Sequence, residues 1–425
     1  LPDRVRVLFA DQLNIPRGKY VPVSEARKGA VRLCAGTYAV TYSRALVDAP
    51  GGTLLEGLPD VEAVFDPAAL RPGWEPNTRI ALADLHLNGG VFPLCGRSAL
   101  KRAIAEWRAL GYEPMVGIEL EAYVFQRGAD GAWVPYDTPG AAVYGTGPFC
   151  DPAGLMDTIW AYASACGLPI ESMNAEFDTP QFELTLKYAD ALTAADDIFL
   201  FRQCAREVLF RRGYLLSFLP KPLPGRAGNG LHVNLSLRDA GERNAFNHAD
   251  SHDLPPLMCG CIAGLIRHHE AMAAVMAPLT NSYDRLKPES LSGYWANWGV
   301  DHRSVSVRVS AEKGEAARLE HRLADAAASP YIAIAAVLQA ARLGAVNGYD
   351  LPPPETNDGL KTVGTERHTA HSLGAAIDAL IADTAFTAAL GQKLVDNYAA
   401  IKRAEIAELA GKSPAEAFAY YAPFI

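Results

Sequence analysis

Nowhere in these 425 residues does an apolar run reach the roughly 18 residues that a membrane span needs. The chain also does not open on the basic-then-apolar pattern of a secretory leader, so the expectation is a cytoplasmic protein with no membrane partner. Dense basic stretches are missing as well. Lys and Arg number 39 against 48 Asp and Glu, for a net charge of −9, and nucleic acid is not an expected partner. Cysteine is scarce. The seven residues (Cys34, Cys95, Cys150, Cys166, Cys204, Cys259 and Cys261) are odd in number and scattered. Only Cys259 and Cys261 are close together, without the His or Cys cluster that a zinc site requires. They read as reduced thiols, mostly packing the core. There is no internal repeat and no low-complexity tract. What remains is 49% hydrophobic and 20% charged, enough for a sizeable core, and the length suggests one small and one large domain.

Residues 1–95 read as β-rich, with "VRVLFAD" and "RIALADLHL" at strand length between Gly- and Pro-punctuated loops. The texture changes at "SALKRAIAEWRALGY". Ser98 suits an N-cap there, Leu100, Ile104 and Trp107 share one helix face, and Gly111 closes the helix. A domain boundary is expected near residue 96, giving domains 1–95 and 96–425. Beyond it strands and helices alternate. "MVGIELEAYVF", "QFELTLKY", "LLSFLPKP", "NGLHVNLSL", "SVSVRVS" and "ARLEHRLAD" read as strands. "GLMDTIWAYASACG", "DALTAADDIFLFRQCAREVLFRRG" and "PPLMCGCIAGLIRHHEAMAAVMAP" read as helices, and the chain is mostly helical from Ala326. The pattern fits an α+β fold, an antiparallel sheet covered by helices.

Acidic residues recur on the predicted strands. Glu119 and Glu121 lie two apart and share a face, Glu183 projects from another strand, and Glu176 stands before the Asp-Thr-Pro turn that leads into that strand. His232 and Glu320 add a nitrogen and a further carboxylate. Five carboxylates and one histidine on one sheet surface repel strongly without cations, and hard ions such as Mg²⁺ or Mn²⁺ suit this donor set. Any single Glu among them is more commonly a solvated strand residue paired with arginine. Periodicity alone does not show that the six converge.

The segments that carry these residues resemble those of the glutamine synthetase family along nearly the whole chain. "GIELEAYVF" is similar to the family's Gly-x-Glu-x-Glu strand, and "EFDTPQFE" to its Glu-x-Gly-Pro-Gly-Gln-x-Glu segment, with Pro180 where Gly is usual. "KPLPGRAGNGLHVNLSL" resembles Lys-Pro…Gly-x-Gly-Met-His-x-His-x-Ser, and "NSYDRL" resembles Asn-Ser-Tyr-Lys-Arg-Leu. "WGVDHRSVSVRV" and "RLEHRLADAAASPYIAIA" follow in the family's order. The resemblance implies an N-terminal β-grasp domain and a catalytic domain whose site lies between adjacent subunits of a homo-oligomer, a dodecamer of two hexameric rings. The apolar C-terminal "AYYAPFI" has the composition of a buried subunit contact. The family resemblance also implies ATP as co-substrate and two or three Mg²⁺ or Mn²⁺ ions per site. Glu121, Glu176 and Glu183 match the ligands of the ion nearer the acid substrate, and Glu119, His232 and Glu320 those of the ion at the ATP phosphates. Arg303 and Arg308 match arginines at the transferred phosphate, where guanidinium forks suit phosphoryl oxygens. Arg318, Asn234 and Ser236 match nucleotide-side positions, and Gly228, Arg285 and Arg322 match glutamate-binding ones. The implied reaction phosphorylates the γ-carboxylate of glutamate and passes the acyl group to an amine.

Two ammonia-handling features of glutamine-forming members are missing. "TYAVTYSRALV" lacks the Asp of their Asp-Gly-Ser-Ser loop, and Leu291 stands where their flap glutamate is expected. An apolar residue there cannot attract ammonium but can line a site for a hydrocarbon group. This resembles the γ-glutamyl-amine ligases (the γ-glutamylmethylamide and γ-glutamylpolyamine synthetases), which join glutamate to a primary amine. Glu289, two residues earlier, keeps an ammonia-using glutamine synthetase as the alternative. Asn234 replaces the second His of His-x-His, so a neutral donor replaces a titratable one near the nucleotide. "NGYDLPPPE" does not match the adenylylated tyrosine segment of some members, and that regulation is not carried over. A guanidino phosphotransferase fits the separate N-terminal domain poorly, and a non-catalytic scaffold is at odds with a complete set of acidic positions.

Overall fold

The computed structural model describes residues 3–250 and 253–425. The N-terminal strands form two four-stranded sheets rather than one. The first runs Pro16–Pro22, Arg4–Ala10, Thr78–Leu82, Arg71–Pro72, and the second Ala30–Cys34, Asp60–Val64, Asp84–Leu87, Gly90–Val91. The single apolar run "RIALADLHL" therefore serves both sheets. It turns at buried Ala83, whose amide bonds back to the carbonyl of Leu8. Val5, Val7, Phe9, Tyr38, Val61, Leu85 and Phe92 fill the space between, making a β-grasp region with a core of its own.

The following helix is Gly96–Ala109, capped at Cys95 and not at Ser98. Close packing sets that start: a Cβ on Gly96 would come 2.9 Å from Ile332 in the helix Pro330–Asn347. The face named from the sequence holds, with Leu100, Ile104 and Trp107 buried.

At the centre lies a nine-stranded sheet in the order Ile170–Ala175, Gln181–Asp190, Glu113–Arg127, Leu231–Arg238, Leu319–His321, Val307–Val309, Trp298–Val300. Trp133–Pro135 and Tyr214–Ser217 add to the distal half of Glu113–Arg127. All pairings are antiparallel except Trp298–Val300 with Val307–Val309. "SVSVRVS" and "ARLEHRLAD" each keep only three strand residues, and the strand Ile170–Ala175 went unread in the sequence because its "ESMN" alternates poorly. One face of the sheet is apolar. Ile118, Leu120, Leu184, Leu186, Val233, Leu235 and Val307 alternate with the polar positions and pack under the covering helices. The expected long helix at 255–278 is two, Pro256–Arg267 and His269–Met276, broken at His268. Pro256–Arg267 crosses Pro330–Asn347 so closely that a Cβ on Gly264 would lie 2.1 Å from the carbonyl of Ala340.

The C-terminal apolar residues do not await a partner: Tyr421 and Ile425 are fully buried in their own chain, and Tyr421 donates to Glu405 at 2.6 Å. Their composition therefore says nothing of a subunit contact. Among the described residues no single helix is long and apolar enough to cross a membrane. All seven cysteines are unpaired, and only Cys34 is exposed.

Candidate active site

The polar face of the sheet floors a cavity of about 1330 Å³. Strand register decides which residues meet there. Glu121 pairs directly with Glu183, Glu119 with His232, and Glu320 with both Asn234 and Arg308. Two carboxylates opposite one another on neighbouring strands repel, so the Glu121–Glu183 pair destabilises the bare sheet. Glu176 joins them from the turn after Ile170–Ala175, its backbone amide bonded to the carbonyl of Gln181 at 2.9 Å.

The result is two clusters. Ligand atoms of Glu119, His232 and Glu320 lie within 4.8 Å of one another, and so do those of Glu121, Glu176 and Glu183. The structure thus brings together the two trios that the resemblance implied. In the first, the Nδ1 of His232 lies 3.0 Å from the Oε2 of Glu119, and Asn234 donates to Glu119 at 3.0 Å. Burial opposes ionisation of Glu119, but His232 and Asn234 outweigh it and hold that carboxyl well below its usual range. Glu320 is likewise buried, yet His232, Arg322 and Arg308 keep it below its ordinary value. In the second trio burial and like charge prevail at Glu183 and Glu176. Burial first, then the Glu119 and Glu176 carboxylates, push Glu183 up to about 7. Burial and Glu121 raise Glu176 as well. Three carboxylates crowded in a half-buried cluster, all hard oxygen donors, fit a divalent cation.

The arginines divide by partner. Arg308 donates to Glu320 at 2.7 Å and to Asp301 at 2.5 Å, and Arg322 grips the other oxygen of Glu320. Buried Nε atoms of both Arg308 and Arg322 have no protein partner. Arg303 lines the cavity, exposed, near enough to Glu176 to lower its carboxyl in opposition to burial. Arg318 donates to Asn234 at 3.2 Å and pairs with Glu312 at 3.3 Å, and Ser236 lines the same end. Arg285 is buried with its donors on backbone carbonyls, Leu323 at 3.1 Å foremost. It braces the wall beside Gly228, where a Cβ would meet its side chain at 2.8 Å. Leu291 lines the cavity with half of its surface exposed, and Glu289 and Ser290 line it too.

Sequence reasoning missed two contributors. Gln181 is buried and its amide reaches Gly228 at 2.9 Å, Asn229 at 3.0 Å and Glu121 at 3.3 Å. Gly230 leaves a space that a Cβ would fill, 3.0 Å from His232 and 3.1 Å from Arg285, while its amide donates to Glu121 at 2.7 Å. The Gly-Asn-Gly of "AGNGLH" was the available signal for the second.

A family model described as the glutamine synthetase catalytic domain matches residues 93–421. Glutamine synthetase of Pyrococcus furiosus is 32% identical over 340 residues, 79% of this chain and 73% of that protein. Its counterpart in Pyrococcus abyssi is 29% identical over 420 residues, 95% of this chain and 90% of that protein. Among solved structures, apo GmaS without ligand superposes with a TM-score of 0.84 at 28% identity, covering 97% of this chain and 94% of that one. A novel glutamine synthase homologue reaches 0.86 at 25% identity, with 100% and 99% coverage. Family enzymes of this kind use ATP and divalent metals, and the acidic trios meet that need. With its catalytic fold matched from end to end, the chain belongs to the glutamine synthetase family and is an ATP-dependent ligase of that type.

Proposed function

We propose that this protein joins the γ-carboxylate of glutamate to a primary amine through a γ-glutamyl phosphate, releasing ADP and phosphate. The observation that carries the amine reading is Leu291, a half-exposed apolar side chain on the cavity wall. The likeness to GmaS over nearly the whole chain supports it. A γ-carboxylate oxygen attacks the terminal phosphorus as the bond to ADP breaks. The amine nitrogen then attacks the acyl carbon, phosphate departs and a proton is released.

Glutamate's amino-acid end is assigned to Gly228, Arg285 and Arg322, and the nucleotide to Asn234, Ser236, Arg303 and Arg318. Arg303 and Arg308 hold the transferring phosphoryl group, which builds charge where planar guanidinium donors act best. Glu121, Glu176 and Glu183 would hold one divalent ion and Glu119, His232 and Glu320 another, Mg²⁺ or Mn²⁺, two or three per site. Bound ions would supply the neutralisation that lets two anionic reactants approach.

Among the described residues, none before Met115 lines the cavity. A neighbouring subunit's N-terminal domain completing it accords with a ring-based homo-oligomer, which we take to be a dodecamer of two hexamers. The apolar cluster of Val5, Val7, Phe9, Val61 and Leu85, apart from the main core into which Leu8, Trp74 and Ile80 pack, supports a division into domains 1–95 and 96–425. Seven unpaired thiols accord with work in the reducing cytoplasm.

Ammonia is the competing acceptor, favoured by Glu289 on the same wall and by relatives named glutamine synthetase. ADP release measured with glutamate and a panel of ammonium, methylamine, ethylamine and longer primary amines separates the two. Faster turnover with ammonium at equal concentration selects the glutamine synthetase reading.

A further inference from the structure

Between Glu176 and Glu183 the chain makes a turn in which Phe177 and Gln181 line the cavity and Asp178, Thr179 and Pro180 do not. Asp178 is the centre of an unusually dense set of bonds there. Its Oδ1 accepts from the amide of Thr179 at 2.7 Å and pairs with the guanidinium of Arg226 at 2.8 Å. Its Oδ2 accepts from the amide of Ala227 at 2.7 Å. Arg226 answers with two further bonds to the same turn, to the carbonyl and hydroxyl of Thr179 at 2.7 and 2.9 Å. Tyr123 donates to the carbonyl of Ala227 at 3.1 Å, and Lys221 donates to that of Arg226.

The loop held in this way, residues 226–230, contains Gly228 on the cavity wall and Gly230, whose amide donates to Glu121. Gln181, on the same turn, seizes the loop from its other side through Gly228 and Asn229. The turn that positions two acidic ligands and the loop that presents its backbone to the acid substrate are thus tied at both ends. Neither Asp178 nor Arg226 lines the cavity, and the Arg226 side chain is 46% exposed. A charge-assisted pair joined to backbone donors is stiff, and it sits outside any contact with reactants.

We infer that Asp178 and Arg226 are positioning residues that couple the Glu121–Glu176–Glu183 cluster to the Gly228 loop, so that a divalent ion there and glutamate tighten one another's binding. This rests on the proposed assignment of glutamate to that loop. Coupling of this kind is reciprocal: if glutamate raises the affinity for the ion by some factor, the ion raises that for glutamate equally. A direct ion–glutamate contact could produce such coupling without the clamp, and the test is built to tell them apart.

Mn²⁺ binding is titrated calorimetrically with and without saturating glutamate, no nucleotide being present, for the full-length protein and for Arg226→Ala and Asp178→Asn. The unaltered protein should gain at least about fivefold in Mn²⁺ affinity when glutamate is added, the lower end of ordinary coupling. Arg226→Ala should cut that gain below twofold while leaving Mn²⁺ affinity without glutamate within twofold. Asp178→Asn keeps an acceptor for the Ala227 amide but loses the charge facing Arg226, so it should fall between. In steady state with saturating metal, Arg226→Ala should raise KM for glutamate by about the factor its coupling loses, roughly three- to fivefold, and Asp178→Asn by less, with KM for ATP unchanged. A full glutamate effect in Arg226→Ala overturns the inference, as does a parallel loss of ATP and glutamate binding, which marks general damage. Unaltered protein that binds Mn²⁺ but no glutamate overturns the functional assignment itself, and the coupling falls with it.

Discussion

Glu183→Gln tests the electrostatics of the acidic face in isolation from catalysis. In the metal-free protein the Glu183 carboxyl is raised from 4.5 to about 7, by burial and then by Glu119 and Glu176. The unfolded chain ionises this group near 4.5, whereas the folded chain keeps its proton until about 7. Its favourable contribution is therefore fully present below about 4.5 and is lost as pH rises through about 7. The full difference corresponds to a penalty of about 3 kcal/mol at pH 8, and partial solvent access makes that an upper bound. Glutamine carries no charge to bury, so in EDTA the variant should be the more stable protein at pH 8, by up to about 3 kcal/mol. At pH 5, just above the unfolded value, the gap should shrink to under about 1 kcal/mol. Saturating Mg²⁺ or Mn²⁺ should reverse the order at pH 8, since the unaltered cluster gains an ion that the variant binds weakly. Urea unfolding followed by circular dichroism at both pH values, with EDTA and with metal, measures all four cases. A variant less stable in EDTA at pH 8 by as much as at pH 5 would refute the argument, because Glu183 would then act by packing and not by charge.

Four further outcomes are expected. Leu291→Glu should improve ammonium use and narrow the preference for a primary alkylamine, which in the unaltered enzyme should be at least tenfold in kcat/KM, or about 1.4 kcal/mol of transition-state binding. KM for ATP should not move. Gly230→Ala should weaken Mn²⁺ binding and raise KM for glutamate together, because its Cβ would press on His232 and Arg285 at 3.0 and 3.1 Å. Gly344→Ala should destabilise the fold by about 3 kcal/mol or more without altering KM values, since its Cβ would lie 2.1 Å from the carbonyl of Gly260 across two helices. A sedimenting species the size of a ring assembly should carry the activity, and an active monomer at working concentration would contradict a site shared between subunits.

The fold class was legible because it depends on period and order along the chain, and the trios because their segments resemble those of the glutamine synthetase family. Glu119 and Glu121 must share a face of any strand that contains them, and apolar Ile118 and Leu120 must take the other. Element ends were less legible. The helix begins at Gly96, two residues before Ser98, where Ile332, far along the chain, leaves no room for a side chain. "RIALADLHL" divides between two sheets, and nothing within those residues marks the division.

Sequence by itself thus determined which residues could act: six potential ligands, a set of arginines, and an apolar Leu291 in a polar setting. Register did the rest. Placing Glu121 opposite Glu183 and Glu119 opposite His232 is a property of strand pairing, and a slip of one residue would turn every ligand into the helix-covered core. The same is true of Asp178 and Arg226, which lie 48 positions apart at sequence numbers 178 and 226 and meet at 2.8 Å. Ordinary surface charges in the sequence become a clamp only when the turn and the loop are folded against each other, because the energy of a charge pair depends on distance in space and not along the chain.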